Sequence, residues 1–318
     1  MMMVATLVLS AFMVALGEAH KHRSQHHGLH VTFYEHTCPK VESIVKDVVA
    51  RAAAIHPGII PDPHSVPQLL RHDEILFTKP PPPPNSYALR GLEVLDDAKA
   101  QLEAACPCIV SCTDTIALAT RDASVLVGIP HYSVPCGHRD SCSSRAIDVL
   151  NNLPAPFYNR PTLTHNFEYR NLNVEDFVAL SGAHSIVNAH CSSFGYGLYG
   201  HSHAYSMDKT YADELKHICP PITLPCFTNP VVKLSKDSTH KMDGSYYSCL
   251  RKNQAFLPLD HALMTSSKTR TIMRKMALHP DWWARKFGLA MEKIGTIGIL
   301  TGGQGEVRSS CRYVNGGE

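Results

Sequence analysis

Residues 80–84 are five consecutive prolines. Proline has no amide proton and a fixed φ, so such a run enters neither a helix nor a sheet interior and forms an extended rod. Pro57, Pro61, Pro63 and Pro67 carry the same character back to His56. The segment 56–85 therefore excludes regular core structure. It leaves a short arm before it and a long body after it, and both show helical spacing.

In the arm, Val41 to Ala54 has apolar residues at 41, 44, 45, 48 and 49, with Pro39 near the first turn. In the body, Arg90 to Ala105 repeats the pattern through Leu92, Val94, Leu95, Ala98 and Leu102. Cys112 to Val127 is apolar nearly all round, which predicts a buried helix. Asn173 followed by Glu175 and Asp176 reads as a helix start, with an N-cap and acids in the first turn. Tyr211 to Cys219, Gly244 to Lys252, Ser267 to Met276 and Asp281 to Ile294 complete the set. Strand signals are few and short, such as Tyr132-Ser133-Val134. The expected class is mostly α with very little β.

Val4 to Leu16 is an uncharged, largely apolar run, too short to span a bilayer. Gly17-Glu18-Ala19 follows, with small residues where a signal peptidase needs them. Residues 1–19 are therefore read as a signal peptide, against the alternative of a buried helix. No second run is long enough to span, so the mature chain is expected to be soluble, off the membrane and outside the cytosol. That setting makes the 11 cysteines disulfide candidates. Residues 20–30 are a His-rich terminus, read as a solvated tail although such tracts can bind metals. Charged residues are only 18% against 44% hydrophobic, which excludes wholesale disorder. A net charge of +2 gives nucleic-acid binding no support.

His184 lies in Leu180-Ser181-Gly182-Ala183-His184-Ser185-Ile186, with Ala189-His190-Cys191 just beyond. A lone histidine at a helix end is usually structural. This string, however, resembles the proximal haem-ligand motif of the secreted plant (class III) haem peroxidases. Further blocks follow that family's order: Thr37-Cys38-Pro39, Leu89 to Val94, Cys106-Pro107 through Asp114, Arg121-Asp122, Arg139-Asp140, Leu153 to Phe157, Met242 to Tyr247, and Ile297 to Arg312. The resemblance covers roughly residues 29–58 and 84–315, and a peroxidase domain is expected over 31–315.

The resemblance implies a helical fold with haem b between a distal and a proximal half. It implies a secreted, monomeric enzyme of the cell wall or apoplast that oxidises small aromatic donors with hydrogen peroxide. His184 would be the axial iron ligand and Asp243 its hydrogen-bond partner, although Asp243 also reads as a helix N-cap. His190 would lie near a haem propionate, and Pro154 would line the donor site. The family pairing implies Cys38–Cys106, Cys112–Cys311 and Cys191–Cys219, which sequence alone cannot choose. Cys108, Cys136, Cys142, Cys226 and Cys249 fall outside the pattern; Cys136 and Cys142 are close enough in sequence to pair. Family members also bind calcium. Ser185, Asp237 and Thr239 are the matches to the proximal calcium site, with spacing one residue short.

The distal half departs from the family. An Arg and a His four residues apart should share one helical face above the iron. Here Arg71 and His72 are adjacent, so on a helix they diverge by about 100°. The Cys and calcium loop that should follow are missing. This leaves three readings: a working peroxidase, a haem-binding or haem-free homologue without turnover, and a mis-spliced frame over 56–85.

Overall fold

The computed structural model describes residues 28–55, 92–143, 160–186, 188–200, 207–221, 229–236 and 241–316. The proline segment, Arg71, His72, Pro154, Asp237, Thr239 and Cys226 lie outside them. The described residues are mostly helical. In chain order the helices are α1 (Val41–Ile55), α2 (Leu92–Ala105), α3 (Cys112–Leu126), α4 (Arg160–Glu168), α5 (Val174–Ser181), α6 (Gly195–Tyr199), α7 (Lys209–Ile218), α8 (Ser245–Arg251), α9 (Pro258–Ala262), α10 (Ser267–Leu278) and α11 (Pro280–Ile294). The two strands, β1 (Asn188–His190) and β2 (Val231–Lys233), pair antiparallel. Tyr132-Ser133-Val134 is not a strand. The ladder contact beside it is an isolated bridge between His30 and Cys136, because no longer partner segment runs alongside.

The described residues fall into two compact units. One holds 28–55, 92–143 and 291–316; the other holds 160–290. In the first unit, α3 packs against α1 and α2. Residues Cys112 to Ser124 are buried on every side, as the all-round apolar pattern predicts. Most of its polar members are paired, while Asp122 Oδ2 and Ser124 Oγ have no hydrogen-bond partner among the described residues. Asp140 is fully buried and accepts from Cys112 N, Thr113 N, Thr113 Oγ1 and Arg308 N at 2.9–3.0 Å. Asp114, one turn into α3, accepts from Tyr34 Oη at 2.6 Å and Gly137 N at 2.9 Å.

His138 completes this second network. Its Nδ1 lies 2.5 Å from Asp114 Oδ1 and its Nε2 lies 2.7 Å from Gly295 O. The ring thus bridges the Asp114 carboxyl group and the Gly295 carbonyl, with both of its nitrogens engaged. Burial, and then the charge of Asp114, raise the Tyr34 phenol far above its ordinary range, so it stays a neutral donor.

The three expected disulfides are present: Cys38–Cys106 and Cys112–Cys311 in the first unit, Cys191–Cys219 in the second. Cys136 and Cys142 do not pair. Both are free, as is Cys108, and Cys249 is a buried thiol 3.5 Å from Ser235 Oγ. Cys136 sits in the Asp114 network, where its thiol lies 3.5 Å from Val134 O, whereas Cys142 is exposed.

Two outcomes follow. Replacing His138 by Gln strands the Asp114 carboxylate; urea denaturation is expected to register a loss of about 3–5 kcal/mol. Peptide mapping after alkylation of the native protein is expected to find Cys108 and Cys142 modified. Cys136 and Cys249 should react only after unfolding, since both are buried and burial pushes the Cys136 thiol far up.

Candidate functional site: a carboxylate-anchored histidine

α5 begins at a capping box. The Asn173 side chain accepts from Asp176 N, and Asp176 returns a bond to Asn173 N. Phe177, Val178, Ala179 and Leu180 are buried, so the short helix is held by its core contacts. It runs into a tight 3₁₀ turn, Gly182–Ile186, which carries His184. The last carbonyls of α5 are taken up by aromatic donors. Tyr247 Oη donates to Val178 O at 2.7 Å, and Trp283 Nε1 donates to Ala179 O at 2.9 Å. Gly182 permits this approach. A Cβ at that position would lie 2.5 Å from Trp283 Nε1, well inside contact distance.

His184 is fully buried. Its Nδ1 lies 2.7 Å from Asp260 Oδ1, and that carboxylate is also buried. The partner is therefore Asp260 on α9, in place of the expected Asp243. Asp243 instead accepts from Ser245 N just ahead of α8, whose N-cap position is Gly244 rather than Asp243. The two aspartates flank α8, but only Asp260 follows the turn that brings the chain back to His184. Tyr246, in the first turn of α8, packs edge-on to the imidazole with centroids 5.6 Å apart. Its hydroxyl donates to Asp260 Oδ1 at 2.8 Å. Burial, and then the Asp260 charge, raise the Tyr246 phenol well above its ordinary value, so it remains a donor.

The arrangement orients the ring. A carboxylate on Nδ1 fixes the tautomer, leaves Nε2 as the ligating nitrogen and makes the ring more basic. Such a histidine suits one strong bond to a metal centre.

Ser185, beside it, has a buried Oγ with no hydrogen-bond partner among the described residues. His190 is half-buried on β1, with Nδ1 3.1 Å from Asn229 O. Sequence reasoning missed Asp260. Its one signal was a lone acid inside the apolar stretch Ala255 to Leu263.

Comparison with known proteins follows the same lines. The family model named Peroxidase matches residues 76–279. Peroxidase 5 of Vitis vinifera is 37% identical over 309 residues, covering 90% of this chain and 92% of that protein. Peroxidase 15 of Arabidopsis thaliana is 36% identical, covering 89% and 88%. Peroxidase 2 of Zea mays is 33% identical, covering 97% and 96%.

The contact of Gly182 with Trp283 is testable by itself. Gly182→Ala inserts a methyl where the indole already lies. It is expected to cost about 1–3 kcal/mol in urea denaturation, with loss of the near-ultraviolet tryptophan signal if Trp283 is displaced.

Proposed function

The chain belongs to the plant class III peroxidase family, and on that premise we propose that it is a haem peroxidase that oxidises small phenolic donors with hydrogen peroxide. The observation that carries the reading is the buried His184–Asp260 pair, held from both sides by Tyr246 and by the locked end of α5. These residues fit a haem iron: one imidazole, oriented and made basic by a carboxylate. Haem b, when bound, supplies the iron at which peroxide is reduced and donors give up single electrons.

His184 Nε2 would hold that iron. Asp260 keeps the Nδ1 proton on the far side of the ring and strengthens the imidazole as a ligand. Tyr246 holds the Asp260 carboxylate in place. His190 is assigned to a haem propionate, and Pro154 to the donor site. Ser185 Oγ, buried and partnerless, suits an oxygen ligand of a calcium ion. Asp237 and Thr239 would complete the set, because a hard cation needs several oxygens. Cleavage of the signal peptide at about residue 19 would deliver the enzyme outside the cell. Among the described residues no helix is long and apolar enough to cross a membrane.

Peroxide activation needs a proton acceptor and a positive charge near the bound oxygen. His72 and Arg71 are the residues available for these tasks. Their adjacency favours the second reading, a haem-binding or haem-free homologue without turnover, because neighbours on a helix do not share a face.

Haem reconstitution of the full chain separates the readings. A Soret band with peroxide-dependent guaiacol oxidation about 10²–10⁴ above free haem is expected if His72 serves as the base. A Soret band with turnover no faster than free haem selects the haem-binding form of the second reading; failure to retain haem removes the first and selects the haem-free form of the second. His184→Ala is expected to abolish haem retention. Asp260→Asn is expected to weaken retention or activity about 10–100-fold, with Asp243→Asn sparing the axial bond.

A further inference from the structure

Cys38 and Cys106 are bonded, and Cys108 stands two residues along the chain from one of them with an exposed thiol. The chain between Cys106 and Cys108 is a tight turn, so these three sulfurs share one place. Ile109 N donates to Cys106 O at 3.3 Å, with Pro107 at the second position of the turn and Cys108 at the third. The turn is fastened to α2 from both ends. Glu103 Oε2 accepts from Cys108 N at 2.8 Å. Lys99 Nζ donates to Val110 O at 2.5 Å and to Glu103 Oε1 at 2.6 Å. Cys136, Cys142 and Cys249, the other described cysteines outside a disulfide, stand more than twenty positions from any bonded one.

The fold does not call for a cysteine at this position. Cys108 has φ +57°, in the left-handed region that the third position of such a turn usually gives to glycine. Its side chain is exposed, so core packing returns nothing for that conformation. What the position supplies is a thiol held beside a disulfide.

Access decides which sulfur that thiol can attack. A thiolate displaces a disulfide sulfur in line, approaching from the side opposite the sulfur that leaves. Cys38 is fully buried and Cys106 half-buried. Attack on Cys38 Sγ would have to come through the core behind it. Attack on Cys106 Sγ comes from the solvent side, where Cys108 lies. Cysteines two positions apart have Cα atoms at most about 7 Å apart, and a turn draws them into the ~4.4–6.8 Å span of a disulfide.

We propose that Cys106-Pro107-Cys108 is a thiol–disulfide exchange centre that opens the Cys38–Cys106 bond to small thiols such as glutathione. The Cys108 thiolate attacks Cys106 Sγ. The Cys106–Cys108 bond forms, the Cys38–Cys106 bond breaks, and Cys38 leaves as a thiolate that takes up the proton Cys108 gave away. No electron is gained or lost in this step. Two small thiols then reduce the exposed Cys106–Cys108 bond: they give it two electrons and two protons and leave as their own disulfide. The Cys38–Cys106 bond ties the start of α1 to the end of α2, both in the unit that does not carry His184. The loop it closes, 68 positions long, contains the whole segment 56–85 with Arg71 and His72. Exchange therefore unlocks that loop and leaves Cys112–Cys311 and Cys191–Cys219 closed.

Reduced glutathione added to the full chain, followed by acid quench, alkylation and peptide mapping of every cysteine, tests this. The Cys38–Cys106 bond is expected to open at least tenfold faster in the parent than in Cys108→Ser. Parent protein whose exposed thiols are first capped with iodoacetamide should open as slowly as that variant. Early samples should contain a peptide pair with Cys106 bonded to Cys108 and Cys38 alkylated. Cys108→Gly suits the positive φ and should fold at least as well as the parent while opening as slowly as Cys108→Ser, which separates loss of the thiol from damage to the turn. Cys142→Ser, which removes the other exposed thiol, should keep the parent rate. The proposal is overturned if Cys108→Ser and Cys108→Gly open within threefold of the parent, or if Cys142→Ser slows opening as much as they do. An early species that joins Cys38 to Cys108 overturns it as well.

Discussion

The first turn of α3 holds two buried carboxylates within a few residues of each other, and the unit around it is organised to satisfy them. Asp140 reaches the turn from a distant loop. It accepts from two backbone amides at the helix start, from the Thr113 hydroxyl and from Arg308 N. Asp114 lies on the helix and gathers Tyr34, Gly137 and the His138 ring. A helix N-terminus is the natural place for negative charge, because its free amides and its dipole both favour it. The chain start, the loop near residue 138 and the C-terminal segment are thus tied to one point. The adjacent Cys112–Cys311 bond closes the same junction covalently.

The second unit solves a different problem, the rigid presentation of one imidazole. A histidine on a short helix would wander, since five to eight residues hold little structure by themselves. Here the helix end is clamped from outside: Tyr247 donates to Val178 O, Trp283 donates to Ala179 O, and Asp260 accepts from the ring itself. Aromatic side chains serve because each offers a large apolar body to the core and one polar tip to a carbonyl or carboxylate. The consecutive Tyr246 and Tyr247 divide the task, one holding the carboxylate and the other the backbone.

Long amphipathic helices were legible because their apolar spacing is written into ten or more residues. α1, α2, α3, α10 and α11 appear within a few residues of their expected limits. The short helices α6 and α9 were not legible, because five residues carry no period. Tyr132 to Val134 had strand composition but no partner beside it, and composition without a partner does not make a strand. His184, singled out by its motif, is a buried histidine held by a carboxylate, while the identity of that carboxylate was misread. Asp243 lies in a recognisable motif and Asp260 does not, yet tertiary folding brings Asp260 to the ring. The sulfur pairings were legible only through the family; the spare thiols follow local burial, which no spacing encodes.

Cys112 and Cys311 are 199 positions apart. At a synthesis rate of about 5–20 residues per second, Cys112 emerges roughly 10–40 s before its partner exists. During that wait Cys136, Cys142 and Cys191 pass by as competing thiols, and Cys106 and Cys108 are already present. Any early bond made by Cys112 must later be exchanged for the native one, through attack by a thiolate on the mixed disulfide. The yield of this protein therefore depends on synthesis reaching Cys311. A chain that stops short of Cys311 leaves the start of α3 holding a thiol with no native partner, whatever the condition of the unit that carries His184.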